Sequence, residues 1–207
     1  MVLPLKWISK PLSHHPQEGT PSGSTQGCID AINNGVLIAN HRDHGESQND
    51  GYSATGWSHP ALYTTHIAQL TNGDMLPVVF SINCESGWFD GETDAYSGNY
   101  ESLPEMFMRA SGKGIIGCIA STRVSYSGYN DELCVGFYDA IWPDFDPNYP
   151  SGSSTNPISS SLNRMGAVLN FGKYWMYDKY VVPGGCEPYP WTPTPICLLY
   201  TSPSPRD

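Results

Sequence analysis

The chain has 207 residues and a mass of 22.7 kDa, enough for one ordinary domain with a full core and too few for two large ones. Twenty acidic against ten basic side chains give a formal charge of −10, which repels a phosphate backbone and argues against nucleic acid as a partner; the excess reads as a solubilising surface. With 39% hydrophobic residues, 21 glycines and 18 prolines, the composition is that of a packed globular protein rich in loops.

Residues 1–27 show neither helical nor strand periodicity and read as an irregular or non-native leader. From Cys28, "CIDAINN" is a short helical turn closed by Gly35, and "VLIAN" is a continuous apolar run of the kind a doubly covered parallel strand shows. "HPALYTTHIAQL" spaces Leu62, His66, Ile67 and Leu70 as a helix would, and "LPVVFSIN" is a second buried strand that runs into Cys84. "ESLPEMFMRASGKG" puts Leu103, Met106, Phe107 and Ala110 on one helical face and feeds a third strand, "GIIGCIAS". Helical spacing returns from Asp131 to Trp142, with Asn130 as the expected N-cap, and in a last helix over about 160–177. This alternation implies an α/β domain over 28–180 with a mainly parallel sheet and right-handed crossovers.

Residues 181–196, with "PGGCEPYPWTPTP", read as a Pro-rich linker, and 197–207, "CLLYTSPSPRD", resemble the translation of a sequencing-library adapter. Six cysteines without a C-x-x-C pair argue against a zinc or thioredoxin-type site and read mostly as core thiols. No run approaches the ~18 apolar residues of a membrane span, and the first residues lack the apolar stretch of a signal peptide.

In an open parallel sheet, reactive groups collect beyond the carboxyl ends of the strands. The first strand is followed by "HRDHGES", with His41 and His44, and the second by Cys84. A cysteine nucleophile needs an imidazole close in space, and the forty residues from His44 to Cys84 suit neighbouring strands joined by one crossover. Two other readings of "HRDHGE" are weaker. A zinc site lacks histidines at i, i+4 and a second ligand cluster. A kinase-type catalytic loop places Asn49 one position late and has no Gly-rich phosphate loop before it. The stretch "DGETDAYSGNYE" offers Asp90, Glu92 and Asp94 as calcium ligands, but Ala95 stands where the tight turn of a calcium loop needs Gly; a solvated acidic loop is the plainer reading.

"VLIANHRDHGES", "VVFSINCESGWF" and "SLPEMFMRASGKGIIGCIASTRVSYSGYNDELCVGFYDAIW" resemble successive blocks of the gingipain family of cysteine peptidases over about residues 29–177. The resemblance implies a caspase-like (Rossmann-like) three-layer α/β sandwich, truncated at its N-terminal side, with the first strands and the upstream subdomain absent. It implies His44 and Cys84 as the catalytic pair and the amides of Gly45 and Cys84 as the oxyanion hole. Ser121, Ser125 and Tyr126 would border the pocket for the substrate residue before the cut. His41 and Arg42 are then orienting or surface groups.

The implied activity is a cysteine endopeptidase acting on protein or peptide substrates through an acyl-enzyme. Its chemistry would need no cofactor, and a structural calcium at Asp90, Glu92 and Asp94 stays as the alternative to a solvated acidic loop. A gingipain-like transpeptidase or signal peptidase of a bacterial secretion system, and a non-catalytic caspase-like binding module, are the alternatives. The resemblance also implies an extracellular or cell-surface bacterial protein with further domains. An unpaired sheet edge left by missing strands predicts that residues 1–207 alone aggregate and are inactive.

Overall fold

The computed structural model describes residues 23–90, 100–143, 145, 160–182, 185–186 and 198–201. The chain forms two compact units, Met1–Tyr126 with Ile196–Asp207, and Ser127–Pro195.

The first unit opens with helix α1, Thr25–Asn33, which begins inside the segment expected to be irregular. Ser24 makes this start: its hydroxyl accepts the Gly27 amide at 3.0 Å, satisfying a donor that the first helical turn leaves open. The helix buries Cys28, Ile29, Ala31 and Ile32 along one face and ends before Gly35, whose φ of +79° reverses the chain at little steric cost.

Strand β1, Ile38–His41, follows, and every residue in it is buried. It pairs in parallel with Val78–Ser81, which in turn pairs in parallel with Gly117–Ser121. Between β1 and the Val78 strand, the chain forms a small antiparallel sheet of β2 (Gly45–Glu46), β3 (Gly56–Ser58) and β4 (Ala61–Tyr63). The parallel partners of β1 are therefore β5 (Val78–Ser81) and β6 (Gly117–Ser121). The helix expected over 59–70 is β4 and a 3-10 turn, Thr64–Gln69. Trp57 and Leu62 face each other across β3 and β4 and are both fully buried, so cross-strand burial overrides the helical spacing of Leu62, His66 and Ile67.

Helix α2, Leu103–Arg109, starts where the Ser102 amide donates to Glu105 Oε2 at 2.7 Å, and it buries Leu103 and Phe107. These side chains join Ile32, Ile67, Leu70, Val79 and Cys118 in one core. Leu198–Thr201, in the segment resembling an adapter translation, lies antiparallel to β6 at the edge of the sheet.

In the second unit, α3 (Ser127–Ile141) packs on α4 (Met165–Tyr180). A Cβ on Gly136 would come within 2.8 Å of Gly172 Cα, so two glycines let the helices approach closely. Asn130 is buried inside α3 and is not its N-cap, because the helix begins at Ser127. Val181–Val182 and Gly185–Cys186, at the start of the expected linker, pair as a short hairpin.

Candidate active site

The carboxyl ends of β1 and β5 lie side by side, with His41 registered on Ser81. His41 is fully buried and stacks on Trp57, the ring centroids 4.5 Å apart and the planes 5° from parallel. Its Nε2 donates to the His59 carbonyl at 3.2 Å, which leaves Nδ1 as the acceptor of the Asn83 amide at 2.8 Å. Burial pushes this imidazole down to about 4, against smaller upward contributions from the His59 carbonyl and Asp43. His41 is therefore neutral near pH 7.

One proton arrangement satisfies the polar groups around it. Asn83 Nδ2 also donates to Ser81 Oγ at 3.0 Å, and Asn83 Oδ1 accepts Ser86 Oγ at 2.6 Å. Ser86 has then spent its proton, so Ser81 is the donor in the 2.6 Å contact between the two hydroxyls. Ser81 Oγ also accepts Trp57 Nε1 at 2.7 Å. A buried network without orphaned groups is rigid, and this one underlies the turn that carries Cys84.

His44 lies three residues beyond His41 and is exposed. Its amide donates to Asp43 Oδ1 at 2.8 Å, and its ring meets the His59 ring edge-on at 6.1 Å. Gly45 explains the His-Gly pair sterically: a Cβ there would sit 2.1 Å from the Cys84 carbonyl oxygen and 2.6 Å from Asn83 Oδ1. Only glycine fits, and it brings the loop after β1 against the turn after β5. The Ser58 amide donates to the His44 carbonyl at 3.1 Å, which sets Gly45 and Trp57 as a non-hydrogen-bonded pair of the β2–β3 ladder. By the alternation of an antiparallel ladder, the Gly45 N–H points away from β3.

Cys84 is half-buried, and its Sγ donates to the Ser125 carbonyl at 3.3 Å. The Ser86 amide returns to the Cys84 carbonyl at 2.6 Å across Glu85, whose φ is +59°. This is a γ-turn of the strained kind, with a non-glycine residue in the left-handed region directly after the thiol. Cys28, Cys118 and Cys134 are buried. Burial raises Cys28 to about 11 and Cys118 further still, so neither is available as a thiolate.

Of the residues expected to border a specificity pocket, Ser121 and Ser125 are buried and hold backbone. Ser121 Oγ donates to the Arg123 carbonyl at 2.6 Å and Ser125 Oγ to the Asn83 carbonyl at 2.6 Å. Tyr126 is half-buried. Arg42 is half-buried next to His41. Both oxygens of Asp90 are bound by Arg123, at 2.9 and 2.8 Å, and the guanidinium lies 4.4 Å over the Trp88 ring. Glu92 and Asp94, the other two residues offered as calcium ligands, lie outside the described residues. Among the described residues no three His, Cys, Asp or Glu side chains converge as a metal site would require.

Asn83, Ser81, Ser86, Glu85 and Asp50 were not singled out from the sequence. The available signal was "SINCES", where polar residues interrupt a buried strand at its reactive end.

The model of peptidase family C25 matches residues 11–185. Gingipain R2 of Porphyromonas gingivalis is 37% identical over 106 residues, which cover 49% of this chain and 12% of that protein. Lys-gingipain W83 of the same organism is 24% identical over 199 residues, 86% of this chain and 11% of that protein. The crystal structure of the Arg-specific cysteine proteinase gingipain R superposes with a TM-score of 0.59 at 26% identity, covering 78% of this chain and 32% of that one. The chain thus spans only a small part of the relatives it matches.

Proposed function

The chain belongs to peptidase family C25 and has the caspase-like α/β fold with a mainly parallel sheet, and from that premise we propose that it carries the catalytic pair of a cysteine-type endopeptidase. The observation that supports this reading best is the contact of Gly45 with the Cys84 backbone, which joins the His-Gly loop to the cysteine turn.

In this mechanism Cys84 Sγ attacks the peptide carbonyl carbon; the C–S bond forms as the π pair moves onto oxygen. The Gly45 and Cys84 amides stabilise that oxyanion, a role for which the Gly45 N–H is not spent on pairing with β3. His44 takes the Cys84 thiol proton and gives it to the leaving amine as the C–N bond breaks; it then takes a proton from the water that attacks the thioester and returns it to Cys84 Sγ as the C–S bond breaks and the carboxylate product leaves. Exposure suits His44 to this exchange, whereas buried His41 is held neutral.

Tyr126 and the segment around Ser125 border the substrate side of Cys84 in this reading. Protein or peptide substrates, further domains and an extracellular or cell-surface location belong to the same proposal. No described helix is long and apolar enough to cross a membrane. The test is turnover of a mixed peptide library with mass analysis of the products. In a version restored to full length, the wild type should cut, and Cys84→Ala and His44→Ala should not; cutting by either variant would sink the assignment.

A further inference from the structure

Glu85 combines two features that the reaction does not account for. Its backbone is in the left-handed region, in the strained turn that directly follows the nucleophile. Its side chain is only 2% exposed, yet it is a carboxyl group, and it hydrogen-bonds the carboxyl of Asp50 on the turn Gln48–Asp50. Two ionised carboxylates accept hydrogen bonds and donate none, so this contact exists only while one of them keeps its proton. Asp50 is exposed and Glu85 is buried, which places the proton on Glu85.

The remaining charged neighbour is Arg123, whose carbonyl accepts the Glu85 amide at 3.2 Å. Its guanidinium favours an ionised Glu85, but both terminal nitrogens are engaged by Asp90. The turn after Cys84 is thus fastened on one side by the Arg123 backbone and on the other by a shared proton.

We propose that Glu85 is a positioning residue: its carboxylic acid, donating to Asp50, holds the strained turn that presents Cys84, and loss of that proton sets an alkaline limit to the reaction. The inference rests on the cysteine-peptidase reading of Cys84. Burial first, then the charge and hydrogen bond of Asp50, raise Glu85 from 4.5 to about 7, with Arg123 opposing them. Above that range two negative charges face each other and the hold on the turn is lost. Because Glu85 would act through Cys84 without touching substrate, its loss should lower kcat more than it raises KM.

The experiment measures peptide turnover and the rate of Cys84 alkylation by iodoacetamide over about pH 5 to 9, in the protein restored to full length and in its Glu85→Gln, Asp50→Asn and Glu85→Ala variants. Glutamine keeps a neutral donor toward Asp50, so its turnover should match wild type below neutrality and lack the alkaline fall. Asparagine at 50 removes the facing charge and should move that fall to higher pH. Alanine at 85 should lower kcat at every pH, on the order of a hundredfold if the thiol shifts by ~1 Å, with KM little changed. In alkylation, the wild type should show a step near neutrality in addition to the thiol's own ionisation, and Glu85→Gln should show the thiol's alone. Profiles in Glu85→Gln identical to wild type, or an unchanged kcat in Glu85→Ala, would overturn the proposal. If no form cuts peptide, the peptidase reading fails, and the alkylation profiles still decide the role of Glu85.

Discussion

His41 and His44 lie three residues apart at the end of one strand, and the fold treats them in opposite ways. His41 is sealed under Trp57, has both ring nitrogens bonded and is held down to about 4. His44 is exposed on a loop that glycine pins against Cys84. An imidazole is useful as an acid and base only where both protonation states are accessible near neutral pH. Burial with complete hydrogen bonding removes one histidine from that service and makes it structure. In the proposed mechanism, the pair "HRDH" is thus a division of labour decided by depth.

The largest effects should separate these roles. His44→Ala is expected to reduce kcat/KM on the order of 10⁶-fold, as loss of a triad member does in hydrolases, while calorimetry shows Tm changed by only ~2 °C. A comparable loss from an equally stable His41 variant would reverse the assignment. Gly45→Ala should follow: its Cβ would collide with the Cys84 carbonyl and push the residue-45 amide away from the proposed oxyanion position, and a donor displaced from that position costs up to about 2.7–4 kcal/mol in transition-state binding. Steady-state kinetics should show that cost in kcat.

His41→Ala is expected to act on stability first. It removes a buried ring and strands the His59 carbonyl and the Asn83 amide, for a loss of about 3–5 kcal/mol in urea unfolding. An unfolding midpoint unchanged from wild type would mean that the network under Cys84 is not holding anything.

The pH dependence of stability tests the same contrast from two sides. His41 has a folded value of about 4 against 6.5 ordinarily, so between these the unfolded chain binds the extra proton. Stability should therefore fall as pH drops from 6.5 toward 4, by up to ~3 kcal/mol from this group. Glu85 works in the opposite sense: its folded value is raised from 4.5 to about 7, so the folded chain keeps the proton. Its contribution is present in full below 4.5 and is lost as pH rises through 7. The two windows overlap between 4.5 and 6.5, where the opposing slopes cancel, so denaturant melts of Glu85→Gln should show stability rising with pH across a range in which the wild type is nearly flat. A Glu85→Gln profile as flat as wild type would show that Glu85 does not carry the opposing slope. The smallest expected effect is Ser125→Ala, which deletes the hydrogen bond to the Asn83 carbonyl and should cost ~1 kcal/mol in the same melts, with a modest change in Cys84 alkylation.

The sequence by itself determined the strands that frame the site. β1, β5 and β6 are covered on both faces, so each reads as a continuous apolar run, and strand ends are where polar residues first appear. That placed His41, His44 and Cys84 at neighbouring carboxyl ends. Local pattern was less informative where burial comes from a partner distant in sequence. Leu62 looked helical because its spacing to His66 and Ile67 is helical, but its burial comes from pairing with Trp57. Asn130 looked like a cap because nothing in its neighbourhood announces that α3 starts at Ser127.

The remaining features were decided only in three dimensions. Nothing in "HRDH" says which histidine lies under Trp57, and nothing in "NCES" says that Asn83 reaches His41 or that Glu85 meets Asp50. These contacts join separate loops. Their energies depend on desolvation and on hydrogen-bond completion, which are properties of an enclosed volume and not of a stretch of chain.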